Sequence, residues 1–297
     1  MAKAISTPSR TKEILEQYQL KAKKNFGQNF LVDPVITKRV AEEANADGMV
    51  LEVGPGIGSL TEQLAYVAKK VIAYEIDLGL KKVLTDHFAS FENVDIQFQD
   101  FLKVDLHEKV EDWKKQYGKV VVCANLPYYI TSAVLFKVFA EEKIETITVM
   151  VQKEVGDRFH AMVNDHEYSA LSVEGQSYYE VKKLFTVPGR SFNPSPKVDS
   201  VIIQFQRKEV TPSFDREAYF GFIRNCFGQR RKTIRNNLQK NFSNEEIDKA
   251  LQKCEIDPGQ RPQSLSVLQY QSLFEVLYER SIWLWKWDRP EWMAIMI

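Results

Sequence analysis

The stretch Met49-Val50-Leu51-Glu52-Val53 runs without a break into Gly54-Pro55-Gly56-Ile57-Gly58-Ser59-Leu60, and this junction restricts the chain to few architectures. Five residues of strand length, mostly apolar, meet three closely spaced glycines. A helical pattern follows, with Leu60, Leu64 and Val67 expected on one face. Strand, glycine turn and helix form the opening unit of a nucleotide-binding α/β domain. The glycines run G-x-G-x-G behind an acid, whereas the dinucleotide fingerprint runs G-x-G-x-x-G. A turn built this way suits close backbone approach to a group without phosphates.

The following segments extend the same design. Val71 to Glu75 is a second strand, Val94 to Phe98 a third, Lys119 to Ala124 a fourth and Ile144 to Val151 a fifth. Four of the strands end at Gly54, Glu75, Asp100 and Asn125, where ligands bind in an open α/β sheet. Tyr178 to Val187 and Val198 to Phe205 read as two further strands, joined by the proline-rich loop 188–197. The expected fold class is α/β, with a doubly wound sheet of seven strands. After Arg207 the composition shifts. Thr211-Pro212-Ser213 marks a boundary, and from Asp215 to Arg280 the pattern is helical. The division expected is a basic N-terminal arm or lid over 1–31, the α/β domain over 32–210, a small all-helical domain over 211–280 and a tail over 281–297. Within the arm, Ile14, Leu15 and Tyr18 suggest a short amphipathic helix, and Asp33-Pro34 caps the helix that follows.

Composition narrows the function classes. An apolar fraction of 44% and a charged fraction of 27% are those of a soluble globular chain. Three dispersed cysteines and four histidines, none near a cysteine, supply neither a disulfide framework nor a metal-ligand spacing. No metal is expected. The N-terminus lacks a signal-peptide core and no run is long enough to span a bilayer, so a cytoplasmic monomer with no membrane contact is expected.

The strand ends suggest the chemistry. S-adenosylmethionine has an amino acid, a sulfonium cation and an adenosine, and it fits a glycine turn flanked by carboxylates. Glu75 suits both ribose hydroxyls, and Asp100 suits the adenine amine. Asn125-Leu126-Pro127-Tyr128 suits methyl transfer to an exocyclic aromatic amine. The Asn125 side-chain oxygen and the Leu126 carbonyl would accept the amine's two hydrogens and turn its lone pair towards the methyl donor. Tyr128 and Phe192 would sandwich an extruded base.

Lys+Arg and Asp+Glu both total 40, so a polyanionic partner is suggested only by how the charge is distributed. Residues 221–243 carry six bases and no acid, residues 181–198 carry four bases and no acid, and residues 21–31 are basic as well. Patches of this kind suit a phosphate backbone.

Six ordered motifs then carry a resemblance. They are Phe26-Gly-Gln-Asn-Phe-Leu31, Glu52-Val-Gly-Pro-Gly-Ile-Gly58, Asn125-Leu-Pro-Tyr128, Gln152-Lys-Glu-Val155, Phe192-Asn-Pro-Ser-Pro-Lys-Val198 and Phe227-Gly-Gln-Arg-Arg-Lys-Thr233. From about Lys21 to about Glu279 the chain resembles the small-subunit rRNA adenine dimethyltransferases, the KsgA/RsmA family. The resemblance implies a Rossmann-like methyltransferase domain and a small C-terminal helical domain. It implies S-adenosylmethionine-dependent dimethylation of two adjacent adenines in the 3′-terminal hairpin of 16S rRNA, within an immature 30S particle. Cofactor contacts would fall on Asn29, Leu31, Gly54, Gly56, Glu75, Asp100 and Asn125. Target-base contacts would fall on Asn125, Leu126, Tyr128 and Phe192. The RNA surface would take Lys23, Lys24, Arg190 and Lys197, together with Arg230, Arg231, Lys232 and Arg235 from a basic helix. Tyr129 stands where many relatives carry Asn.

Two other readings share these features. One is an Erm-type enzyme acting on 23S rRNA, which has a similar Asn-Pro-Tyr site but usually Ile at the position of Leu126. The other is a 30S assembly factor that works mainly by binding. The tail over 281–297 holds four of the five tryptophans and has no counterpart in the resemblance.

Overall fold

The computed structural model describes residues 3–23 and 26–287, with side chains as far as Tyr278. Two compact units are present. One takes the chain up to Gly156 together with Val181–Arg207, and the other takes Asp157–Glu180 and the chain from Lys208 on.

In the first unit a helix α1 (Pro8–Gln17), a short strand β1 (Phe30–Leu31) and a helix α2 (Pro34–Glu43) precede the sheet. Then β2 (Met49–Val53), α3 (Ser59–Val67), β3 (Lys70–Tyr74), α4 (Lys81–Phe88) and β4 (Val94–Gln97) alternate. They are followed by α5 (Leu106–Tyr117), β5 (Val120–Asn125), α6 (Thr131–Phe139) and β6 (Thr146–Gln152). After α7 (Lys153–His160) and α8 (Ala170–Tyr178) come β7 (Tyr179–Val187), β8 (Phe192–Asn193) and β9 (Ser200–Arg207). Seven of these strands form one sheet in the order β4-β3-β2-β5-β6-β9-β7, and β1 pairs antiparallel with β8. The pairs from β4 through β6 are parallel, and β9 runs antiparallel to β6. Every residue of β2 is buried, and so is every residue of β5 except Asn125. Their unbroken apolar runs suit strands covered on both faces. The chain moves outward from β2 to β4, then returns to β5 on the other side of β2. That reversal opens a crevice at the carboxyl ends of β2 and β5.

The sheet is the seven-stranded one expected, and Asp33 caps α2 by accepting from the Val35 and Ile36 amides. The buried face of α3 differs from expectation. Leu60 and Leu64 are buried, but Val67 is 45% exposed, and Thr61, Ala65 and Ala68 complete the buried stripe. At 100° per residue that stripe turns away from Val67 within two turns. Gly58, which caps α3, sits at φ 92°, and a Cβ there would lie 2.5 Å from the Phe88 ring. Only glycine lets the helix start this close to α4.

The N-terminal segment is part of the core. Ile5 and Ile14 are buried with Phe30, Ile57, Leu80, Val83, Leu84 and Phe88, and Leu15 and Tyr18 pack against the same cluster. The Ile5 amide donates to Glu62 at 3.0 Å, and the Tyr18 hydroxyl donates to Asp86 at 3.0 Å.

The second unit contains α8 with α9 (Arg216–Cys226), α10 (Ile234–Leu238), α11 (Asn244–Lys253) and α12 (Val267–Trp287). Its core is aromatic, with the rings of Phe214, Tyr219 and Phe222 around Phe274. The unit also takes Asp157–Glu180, which the sequence pattern had assigned to the α/β part. Several polar groups of that segment find partners here. Tyr168 donates to the Leu265 carbonyl at 3.0 Å, Ser177 shares a hydrogen bond with the Tyr219 hydroxyl, and buried Glu174 meets Arg224 at 3.1 Å. The last helix runs to Trp287, so the first part of the expected tail continues α12. The rest of the tail lies outside the described residues.

Glu52 of β2 is buried and accepts a 2.7 Å hydrogen bond from Thr61. Burial pushes its carboxyl up to about 8, with a further rise from nearby Glu75. The folded state therefore holds a proton that the unfolded chain releases near its ordinary carboxylate pKa. The stability tied to that proton is complete below about 4.5 and is lost as pH rises through about 8. In Glu52→Gln, denaturation midpoints should fall less between pH 5 and 9 than in the parent, and equal slopes would contradict this. Ile14→Ala should cost about 2–5 kcal/mol in urea unfolding, as for a core side chain. An unchanged midpoint would mean that α1 is not part of the cooperative unit.

Candidate functional site

Four strand ends converge as the doubly wound order requires. Gly54, Glu75, Asp100 and Asn125 line one cavity of about 260 Å³, together with Asn29, Leu31, Gly56, Leu126, Tyr128 and Phe192. Every residue expected to touch cofactor or target base is in that lining.

The glycine turn forms one wall. Gly56 has φ 61°, and a Cβ on it would lie 3.4 Å from the Phe30 ring, so a side chain would narrow the cavity where β1 passes. The Gly56 amide donates to Glu75 at 3.2 Å, which ties the turn to the end of β3. The other Glu75 oxygen accepts from the Asp77 amide at 2.8 Å. Burial pushes the Glu75 carboxyl up to about 7, against the pull of these amides. Donors that reach this carboxylate from the cavity would favour its ionised form.

Asp100 caps the short 3₁₀ turn after β4 by accepting from the Leu102 amide at 3.0 Å, with its second oxygen 4.0 Å from Lys103. It is a capping residue that also faces the cavity. Asn29 donates to the Gly27 carbonyl at 3.0 Å.

Beyond β5 the chain is braced on both sides of Asn125 and Leu126. The Leu126 amide donates to the Met150 carbonyl at 3.2 Å. The Pro127 carbonyl accepts from the Ile130 amide and the Thr131 hydroxyl, both at 3.2 Å. Proline lacks an amide hydrogen, so the segment leaves the sheet here. Among the described residues no hydrogen bond engages the Asn125 side chain or the Leu126 carbonyl. Two acceptors on a rigid edge therefore face the cavity uncommitted.

Tyr128 is held by a 2.8 Å hydrogen bond between its hydroxyl and Ser200, and burial raises its hydroxyl above the ordinary tyrosine value. Phe192 lines the cavity but is 4% exposed, packed with Leu31, Val187 and Ile202. Most of its ring belongs to the core, so it offers the cavity only one edge of its surface.

The basic residues divide into committed and free ones. Lys23 reaches Asp77 at 2.7 Å, beside the cavity, and Lys24 lies outside the described residues. Arg235 is engaged by both oxygens of Asp248, at 2.7 and 2.9 Å. Arg230 donates to the His166 carbonyl at 2.7 Å. Residues 229–232 form a turn between α9 and α10, where a basic helix was expected; Asn237 braces it by accepting from the Gln229 amide at 2.8 Å. Arg190, Lys197, Arg231 and Lys232 are exposed. Among the described residues these four make no ion pair.

Sequence reasoning passed over Gln28 and Asp77. Asp77 is buried and accepts from Lys23, Gln28 and the Gly79 amide. A clue was available, since an acid two residues beyond a strand-end acid is crowded and requires a cation. Among the described residues no group of histidine, cysteine and carboxylate side chains could hold a metal ion, and no helix is long and apolar enough to cross a membrane.

Comparison with known proteins places the chain in a family. Residues 19–279 match the family described as ribosomal RNA adenine dimethylase. The chain is 42% identical to the ribosomal RNA small subunit methyltransferase A of Bacillus mycoides, over 93% of this chain and 98% of that protein. It is 43% identical to the protein of the same name from Bacillus pumilus, with the same coverage. Among solved structures, a dimethyladenosine transferase from Plasmodium falciparum is 26% identical with a TM-score of 0.73, covering 85% of this chain and 98% of that one. The 23S rRNA methyltransferase ErmE is 29% identical with a TM-score of 0.63, covering 84% and 99%. The seven-stranded sheet is thus the Rossmann-like methyltransferase sheet, and the chain belongs to the ribosomal RNA adenine dimethylase family.

Proposed function

We propose that this protein is an S-adenosylmethionine-dependent methyltransferase that converts the N6 amines of two adjacent adenines of 16S rRNA to dimethylamines, on a precursor of the 30S particle in the cytoplasm. The observation that carries the reading is the uncommitted pair of acceptors, the Asn125 side chain and the Leu126 carbonyl, at a rigid strand end beside the glycine turn. The small-subunit substrate is supported by the near full-length identity of 42–43% to small-subunit methyltransferases.

The residues present suit the cofactor. A glycine cradle that a Cβ would narrow lies beside two carboxylates, Glu75 for ribose hydroxyls and Asp100 for the adenine amine. When bound, S-adenosylmethionine supplies an electrophilic methyl group on a sulfonium sulfur. Asn125 and Leu126 accept the two hydrogens of the adenine amine, which turns the nitrogen lone pair out of conjugation and towards the methyl. No strong base is needed, because the nitrogen becomes acidic as the new bond forms. Asn125 holds the amine while the proton leaves to water. Tyr128, fixed by Ser200, stacks on the extruded base, and the accessible edge of Phe192 meets its other side. Arg190, Lys197 and the turn residues Arg231 and Lys232 contact phosphates.

Asn125→Ala should lower methyl transfer about a hundredfold to a thousandfold, in line with removal of one preorganised transition-state contact. Binding to 30S particles in a filter assay should stay within about twofold, since Asn125 carries none of the charge assigned to phosphate contacts. Retained transfer would remove Asn125 from the mechanism. Radiolabel from methyl-labelled cofactor should enter 30S particles from an unmethylated strain and not protein-free 23S rRNA. Label confined to the 23S RNA would assign an Erm-type activity instead.

A further inference from the structure

Asp77 lies two residues beyond Glu75 and contributes nothing to the chemistry described above, yet it is among the most heavily bonded carboxylates in the first unit. Its side chain is 4% exposed. One oxygen accepts from Lys23 Nζ at 2.7 Å and from the Gly79 amide at 2.9 Å, and the other accepts from Gln28 Nε2 at 2.9 Å. Gln28 in turn accepts from the Lys23 backbone amide at 2.9 Å, which closes a ring of three residues. Burial works against the Asp77 charge, but these donors hold its carboxyl below the ordinary aspartate value. A buried carboxylate with one cation in reach loses its charge compensation if that cation is withdrawn.

The position of this ring matters for the cavity. Phe26 to Leu31 form an N-terminal wall of it, and Glu75 and Ile76 line it as well. The N-terminal wall is secured at its far end by the β1–β8 pairing of Phe30 and Leu31 with Asn193 and Phe192. At its near end it is secured by Gln28 and Lys23 on Asp77, with Gly27 lying against the Tyr129 ring. The Asp77 amide also donates to Glu75, so the same residue is bonded both to the proposed ribose acceptor and to the N-terminal wall.

We propose that Asp77 is a positioning residue for the cofactor: by binding Lys23 and Gln28 it holds the Gly27–Leu31 wall against the ribose end of the site, and Lys23 serves this contact and not an RNA phosphate. The proposal rests on the cavity being the S-adenosylmethionine site. It also predicts that cofactor affinity and RNA affinity respond to different lysines.

Calorimetric titration of the full chain with S-adenosylmethionine tests it, using Lys23→Met, Gln28→Ala, Asp77→Asn and the Lys23→Met/Asp77→Asn double variant. Each single change should weaken cofactor binding about tenfold, the scale of one charge-assisted hydrogen bond. The double variant should be no more than about twofold weaker than the worse single, because both changes break one contact. In turnover the effect should appear in KM for the cofactor and not in kcat, and Lys23→Arg should recover most of it. RNA affinity of Lys23→Met should match the parent. If Asp77→Asn fails to fold, Lys23→Met and Gln28→Ala carry the test alone. Cofactor affinities within twofold of the parent, or additive losses in the double variant, would overturn the proposal. So would a Lys23→Met loss confined to RNA binding. A parent chain that does not bind S-adenosylmethionine would overturn the cofactor reading itself, which is a separate failure.

Discussion

The site depends on the glycine turn that ends β2. Gly58 adopts a left-handed conformation and comes too close to Phe88 for any side chain, so α3 begins directly against α4. Gly56, also left-handed, turns its amide onto Glu75 and leaves room for Phe30 to pass. One turn thereby sets the start of a helix, the end of a neighbouring strand and the width of the cavity. A residue with a Cβ at either position would be strained in its backbone and would also collide with or crowd an aromatic ring. The floor below the turn is unusual too, because Glu52 is buried there with Thr61 as its hydrogen-bond partner.

Rigidity is distributed unevenly around the cavity. The Asn125 edge is braced by sheet pairing on one side and by the Pro127 carbonyl contacts on the other. Such bracing is what an amide needs if it is to orient an amine without reorganising. The N-terminal wall is held more lightly, by a two-residue strand pair and a cluster of side-chain hydrogen bonds on Asp77. Under the proposed function, a site that admits and releases a cofactor and still presents a fixed acceptor to the reacting nitrogen would gain from that contrast.

Charge shows where reading the sequence alone is limited. The run of six bases over 221–243 looks like one cationic face. In the fold, Arg224 meets Glu174, Arg235 meets Asp248, and Arg230 is hydrogen-bonded to a backbone carbonyl. Each acid lies outside the run, so no local count reveals the pairing. Lys23 misleads in the same way, since it sits in a basic stretch and neutralises a buried aspartate 54 positions away. Phe192 was expected to cover one face of an extruded base, and the fold also makes it a core residue, because β8 pairs with β1 and carries most of the ring inside.

The sheet was legible because strand periodicity, glycine spacing and polar strand ends are local properties with local physical causes. The α/β alternation and the convergence of Gly54, Glu75, Asp100 and Asn125 follow from right-handed crossovers once the strands are recognised. The capped start of α2 at Asp33 is equally local. Tertiary structure decided the remainder. It placed Asp157–Glu180 with the helical unit, because Glu174 and Tyr168 find their partners there, and it packed α1 into the core through Ile5 and Ile14. It also determined which cations stay exposed. Most of these outcomes depend on contacts between residues 50 to 97 positions apart, and no local window of sequence contains both members of such a contact.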